Sequence, residues 1–185
     1  DCSQSRGLGD VYKRQLEIDC IEIQEVWDAI KQLKVRGAPA IGIAAAYGVC
    51  LAAKNAIQTG AQDPQQVTQE QADYLATSRP TAVNLFWALN RMKPVIQSDA
   101  TDLADWQRRL LAEAKEIHEE DRRMCHRIGE CGAALLSDGD SVLTHCNAGG
   151  LATAEYGTAL SVFFTAQDQG KSLHVFVDET RPLLQ

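Results

Sequence analysis

The sequence lacks any excess of positive charge. Its 185 residues carry 18 Lys and Arg against 25 Asp and Glu, a net charge of −7, and no stretch gathers cations into a basic face. Non-specific nucleic-acid binding needs such a face to neutralise phosphates, so the composition argues against that role. A small anionic substrate, which needs only a few local arginines, stays open. The sequence also lacks the ~20 consecutive apolar residues of a membrane-spanning helix. The uncharged run 38–53 is rich in Ala and Gly and predicts a buried helix instead. No apolar signal-peptide core stands at the N-terminus, and the six cysteines, at 2, 20, 50, 125, 131 and 146, show no paired spacing. Reduced thiols in a cytoplasmic protein are the expectation. Gly149-Gly150 does not make a G-x-G-x-x-G fingerprint, so no nicotinamide cofactor is implied.

What is present reads as helices first. With 45% apolar residues the chain can bury a sizeable core, and its length fits one domain or a domain and a part. Residues 1–15 have no periodicity and predict a disordered tail foreign to the domain. From Ile21, the spacing of Ile23, Val26, Trp27, Ile30 and Leu33 predicts a helix that stops near Val35, where Arg36-Gly37-Ala38-Pro39 breaks it. Pro39 suits the first turn of a second helix, reaching about Thr59 before Gly60. Asp63 and Pro64 cap and open a third, which Ser78-Arg79-Pro80 interrupts. Thr81 is the candidate cap of a fourth helix with Leu85, Phe86 and Leu89 buried. Beyond Pro94, residues 99–136 read as one long helix, with Gly129 and Gly132 as candidate bends. Trp27, Trp87 and Trp106 are expected to pack inside, and His118 to lie on a solvated face.

After a turn at 137–140 the rhythm becomes strand (141–145), helix (about 152–168) and strand (173–177). That order predicts a parallel pair. Two strands are too few for a stable parallel sheet, which must be covered on both faces. The expected fold class is α/β: an all-helical domain over 16–138, then the start of a parallel α/β domain over 139–185, cut short at Gln185.

Cys146 follows the first strand and precedes Asn147-Ala148-Gly149-Gly150, a turn leading into the helix. A thiol at a helix mouth has its thiolate favoured by the dipole; the alternative is an inert buried cysteine. His145, on the other side of an extended strand, is not expected to pair with it. Arg36, Arg79 and Arg181 each stand at a break beside Gly or Pro, where rigid turns present guanidinium forks suited to phosphate. Ordinary surface arginines are the competing reading. Cys125, His126 and Cys131 do not make a metal site, because consecutive helical residues diverge by about 100°. No metal is expected.

Four blocks, RGAPAIGIAAAYGV (36–49), RPTAVNL (79–85), THCNAGGLATAEYGTAL (144–160) and DETRPLLQ (178–185), together resemble the methylthioribose-1-phosphate isomerase family of methionine salvage, within a wider isomerase and initiation-factor superfamily. The match runs from about residue 16 to 185. The resemblance implies a helical domain followed by a Rossmann-like one, an active site between them, a homodimer, a sugar phosphate as the small-molecule substrate, and no cofactor or metal. It implies conversion of 5-methylthioribose 1-phosphate into the ketose 5-methylthioribulose 1-phosphate.

Position by position, Cys146 matches the family's catalytic cysteine. Arg36, Gly37 and Ala38 match its first substrate-binding loop, Arg79 the arginine of its RPT block, and Gln185 the glutamine that closes its ETRPLLQ block. The family's acid–base aspartate lies downstream of that block, in a Gly-Ala-Asp motif that this chain does not reach. A fragment, inactive by itself, is therefore expected. The alternatives are a ribose-1,5-bisphosphate isomerase and a non-catalytic regulatory subunit of the translation-initiation guanine-nucleotide exchange complex.

Overall fold

A computed structural model describes residues 18–146 and 148–178. Arg181, Gln185 and the predicted tail lie outside the described residues. The elements run α1 (Ile23–Lys31), α2 (Ala38–Gln58), α3 (Pro64–Ala76), α4 (Val83–Ile96), α5 (Leu103–Ala133), β1 (Ser141–Thr144), a 3-10 turn (Gly150–Ala152), α6 (Ala159–Asp168) and β2 (His174–Val177).

Local chemistry explains most boundaries. The Glu25 carboxylate accepts the amides of Glu22 and Ile21 at the start of α1, and these bonds hold its pKa below the usual value. The helix ends at Lys31 rather than near Val35, because Leu33 turns into the left-handed region (φ +61°) and the Lys34 and Val35 amides both bond the Ala29 carbonyl. Pro39 stands in the first turn of α2, and Gly60 (φ +69°) follows its end, both as expected. Asp63 caps α3 by accepting the Gln66 amide at 2.9 Å. Thr81 does not cap α4: Ala82 holds that position without a side-chain bond. Nor does Pro94 end α4, which runs on to Ile96. So close to the end, the only bond lost is the one to the Asn90 carbonyl, and both residues are exposed, so water can serve it. Asp102 caps α5 through the Ala104 and Asp105 amides.

The core lies among α1 to α5. It is built from Ile30, Ile41, Val49, Leu75, Leu85, Met92, Ile96, Trp106, Leu110 and Ile117, all essentially inaccessible. Burying each of these large side chains stabilises the fold by roughly 1.5–3 kcal/mol. α2 packs on all four neighbours. Its length and hydropathy would also suit a membrane span, yet nine of its 21 residues are buried in this core. Of the three tryptophans, Trp106 is buried and donates to the Val95 carbonyl, and Trp27 stacks on Tyr74. Trp87 is about half exposed (47%), with Arg91 against its ring, and Phe86 also faces outward, so neither packs as expected. His118 is half-buried rather than solvated, its Nδ1 3.1 Å from the Tyr47 hydroxyl.

α5 is continuous through Gly129 and Gly132. They admit α6: a Cβ on Gly129 would lie 2.4 Å from Thr165 Oγ1 and 2.9 Å from the Ser161 carbonyl oxygen. α6 begins at Ala159, not near 152, because Tyr156 and Gly157 both take positive φ and cannot continue a right-handed helix. β1 and β2 pair in parallel, Ser141 beside His174 and Thr144 beside Val177. The fold of the described residues is thus mostly helical with a small, two-stranded parallel sheet.

Candidate functional site

β1 delivers the chain to its loop through His145 and Cys146. Cys146 is exposed and left-handed (φ +69°), a conformation that costs a non-glycine residue roughly 1–2 kcal/mol. Strain held at an accessible thiol points to a functional position. The expected geometry needs a correction, however. The amides of Thr158 and Leu160 at the start of α6 bond the Ala148 carbonyl, so the backbone of the loop, and not the thiol, takes the helix mouth.

The loop closes on itself at this point. Gly157 (φ +80°) lies flat on Ala148 and Gly149, and a Cβ there would come within 2.4 Å of the Ala148 oxygen. Beyond the closure, the Gly150–Ala152 turn reaches the helical part. A Cβ on Gly37 would fall 2.1 Å from Ala152 Cα and 2.3 Å from its carbonyl oxygen. Backbone therefore meets backbone between the Arg36-Gly37-Ala38 segment and the Cys146 loop, and these two predicted elements come together. Arg79 is linked less directly. Its turn leads into α4, and α4 approaches α2 at Gly42, where a Cβ would lie 2.8 Å from the Asn84 carbonyl oxygen.

The arginines divide by pairing. Among the described residues, Arg91, Arg108, Arg109, Arg122, Arg123 and Arg127 each meet a carboxylate, whereas Arg36 and Arg79 meet none. In a chain of net charge −7, two half-buried arginines left without carboxylates are suited to an anion.

Comparison with known proteins fits this geometry. The model of the initiation factor 2 subunit family matches residues 34–185. The chain belongs to that family. Over 167 residues it is 58% identical to a 5-deoxyribose 1-phosphate isomerase of Moorella thermoacetica, covering 88% of this chain and 47% of the relative. Over another 167-residue match it is 54% identical to a methylthioribose-1-phosphate isomerase of Rhodopirellula baltica, covering 90% and 47%. The chain thus spans about half the length of the curated relatives it matches. Two solved structures are also similar. One is a translation initiation factor eIF-2B subunit delta of A. fulgidus (TM-score 0.83, 44% identity, 92% of this chain and 50% of that one). The other is a 5-methylthioribose 1-phosphate isomerase of Pyrococcus horikoshii (TM-score 0.81, 41% identity, 89% and 46%).

For this initiation factor 2 subunit family member, two of the other thiols, Cys50 and Cys125, offer little chemistry. Burial pushes Cys50 up to about 12 and raises Cys125 as well, which keeps both protonated near neutrality. Cys125 is buried and His126 half-exposed beside Glu155, so the two side chains diverge as the helical spacing predicts. A cavity of about 790 Å³ between α1, α2 and α5 is lined mainly by apolar side chains such as Ala44, Leu51 and Leu111, and by none of Arg36, Gly37, Ala38, Arg79 and Cys146. The candidate site residues and this cavity are therefore in different places. One contact at the site escaped the sequence: His145 Nδ1 lies 3.0 Å from Asp178 Oδ2 across the ends of the paired strands. The parallel register could have exposed it, since it sets Thr144 beside Val177.

Proposed function

We propose that this chain carries the thiol and the phosphate-binding arginines of a sugar-phosphate isomerase that converts 5-methylthioribose 1-phosphate into 5-methylthioribulose 1-phosphate. The observation that supports it best is the backbone contact of Gly37 with Ala152, which holds Arg36, without a carboxylate partner among the described residues, beside the loop of the exposed, strained Cys146. In this reading β1, α6 and β2 begin a Rossmann-like domain, and the protein acts in the cytoplasm as a homodimer without cofactor or metal.

The chemistry follows from the parts. An aldose locked as a ring by its anomeric phosphate must be opened, and hydrogen must then move between C1 and C2. Arg36 and Arg79 hold the phosphate dianion in place, which limits the reacting carbons to one orientation. The Cys146 thiol serves as one of the two groups that exchange protons with the substrate. Gln185 is a further substrate-binding residue in this reading. The name of the Moorella thermoacetica relative also supports a second substrate, 5-deoxyribose 1-phosphate, which differs only beyond the reacting carbons.

The test uses the intact protein and offers it each aldose 1-phosphate in turn. Ketose 1-phosphate should form from at least one of them. The Cys146→Ala variant should lose roughly 10²–10⁴-fold in kcat while substrate still binds, the range expected for removing a general acid or base. No ketose from either sugar would overturn the reading and favour a non-catalytic subunit. Full activity in Cys146→Ala would remove the thiol from the mechanism.

A further inference from the structure

The return leg of the Cys146 loop is gripped by α5. Three consecutive residues are held there, each differently. The Ala154 amide donates to Asp121 Oδ2 at 2.7 Å. The Glu155 carboxylate meets His126 Nε2 at 2.9 Å and Arg122 at 3.3 Å. The Tyr156 ring stacks on His126, with centroids 4.4 Å apart and planes 19° from parallel, and its hydroxyl donates to Asp168 of α6 at 3.0 Å. Asp121, Arg122, Cys125 and His126 are spaced as one stripe of a helix, and Cys125 Sγ lies 3.9 Å from the same Asp121 oxygen.

The grip bears on the site because the held leg is short. Ala152, whose backbone touches Gly37, is two residues before Ala154; Gly157, which closes the loop on Ala148, is one residue after Tyr156. Tyr156 is itself left-handed (φ +67°), a conformation it keeps only while something holds it. The Asp121 bond is part-buried, while the ion pairs of Glu155 are about half exposed and weaker individually.

We propose that Asp121, Arg122 and His126 are positioning residues, a clamp on α5 that fixes Ala154–Tyr156 and thereby seats Ala152 against the Arg36-Gly37 segment. None of the three touches substrate. They act through the loop, and their effect falls on substrate binding, because what moves when the clamp opens is the phosphate-binding Arg36 segment's support. This deepens the isomerase reading and rests on it for its kinetic part only.

The intact protein is compared with Asp121→Ala, Asp121→Asn and the double variant Asp121→Ala/His126→Ala, by amide hydrogen exchange and by kinetics. In Asp121→Ala, exchange of amides 154–157 should accelerate at least tenfold while that of α2 stays unchanged. KM for the aldose 1-phosphate should rise about tenfold with kcat within threefold, and the double variant should exceed it in both. Asp121→Asn keeps an acceptor for the Ala154 amide and should restore most of both losses. Unchanged exchange at 154–157 in the double variant overturns the clamp, as does a fall in kcat with KM constant. Should the double variant not fold, Asp121→Ala against Asp121→Asn decides alone. If the parent protein turns over no sugar phosphate, the isomerase reading fails, and the exchange arm still decides the clamp.

Discussion

The interior of the helical bundle and its seam with the strand–helix–strand part are joined by opposite means. In the interior, large side chains interlock: Trp106, Leu110 and Ile117 of α5 lie against Ile41, Val49, Leu85 and Met92, all nearly inaccessible. At the seam, side chains are missing where contact is closest. Gly37 meets Ala152, Gly129 meets Ser161, and Gly132 meets Val162, each at a distance that no Cβ could share. Burial holds the first region together and gives it stability without much demand on position, since cores tolerate modest repacking. Proximity defines the second, where a shift of an ångström matters because two backbones carry the candidate site.

That contrast can be broken by experiment. The largest effect expected is from Trp106→Ala, which should cost about 3–5 kcal/mol of unfolding free energy, read by denaturant titration, yet leave KM and kcat of the still-folded protein within about twofold. Gly37→Ala should do the reverse. Overpacking at one backbone contact costs about 1–3 kcal/mol, while KM for the sugar phosphate should rise more than tenfold as Ala152 is pushed away. If Trp106→Ala damaged binding and Gly37→Ala did not, the division between interior and seam would be wrong.

The smallest effect sharpens the same comparison on the bundle's surface. Arg91 bonds Glu120 and Glu113, and the Glu120 carboxyl is held below its usual value of 4.5, first by the bond from Arg91. A carboxyl depressed in the folded state contributes stability at neutral pH and loses it as pH falls below 4.5 and through the folded value. These groups are partly exposed, so solvent screening limits the contribution to about 0.5 kcal/mol. Comparing the parent protein with Glu120→Gln at pH 7 and at about pH 3.5 should show that difference vanish in acid. A difference that grew in acid would contradict the assignment.

The sequence showed these regions unequally. Helical periodicity and breakers located α2, the Asp63 cap of α3 and the parallel strand order, because those depend on neighbours in the chain. Pro94 left the end of α4 open, since its cost depends on how near the helix end lies. The start of α6 also misled: Thr153–Gly157 reads as helix-compatible, but the positive φ of Tyr156 is imposed by His126 and Asp168, far away in sequence. Phe86 and Trp87 were misassigned or left outside because apolar character does not choose a face when α4 has several neighbours. For the site, residue types were legible and their support was not. Cys146, Arg36 and Arg79 stood in recognisable blocks, whereas Asp121 looked like one charge among many on a long helix.

That helix has a further property. α5 is a single rod of 31 residues, about 46 Å at 1.5 Å per residue. Trp106, Leu110, Ala114 and Ile117 set its angle in the bundle, and Asp121, Arg122 and His126 meet the loop a turn later. Each residue advances the helix by about 100°, so the count of residues between Ile117 and Asp121 is a phase relation. Inserting or deleting one residue there would turn the loop-facing stripe a quarter of the way round the rod, although every side chain survived. Substitution at an exposed position such as Lys115 would leave that phase untouched, so the length of this stretch is expected to be kept more strictly than its exposed residues.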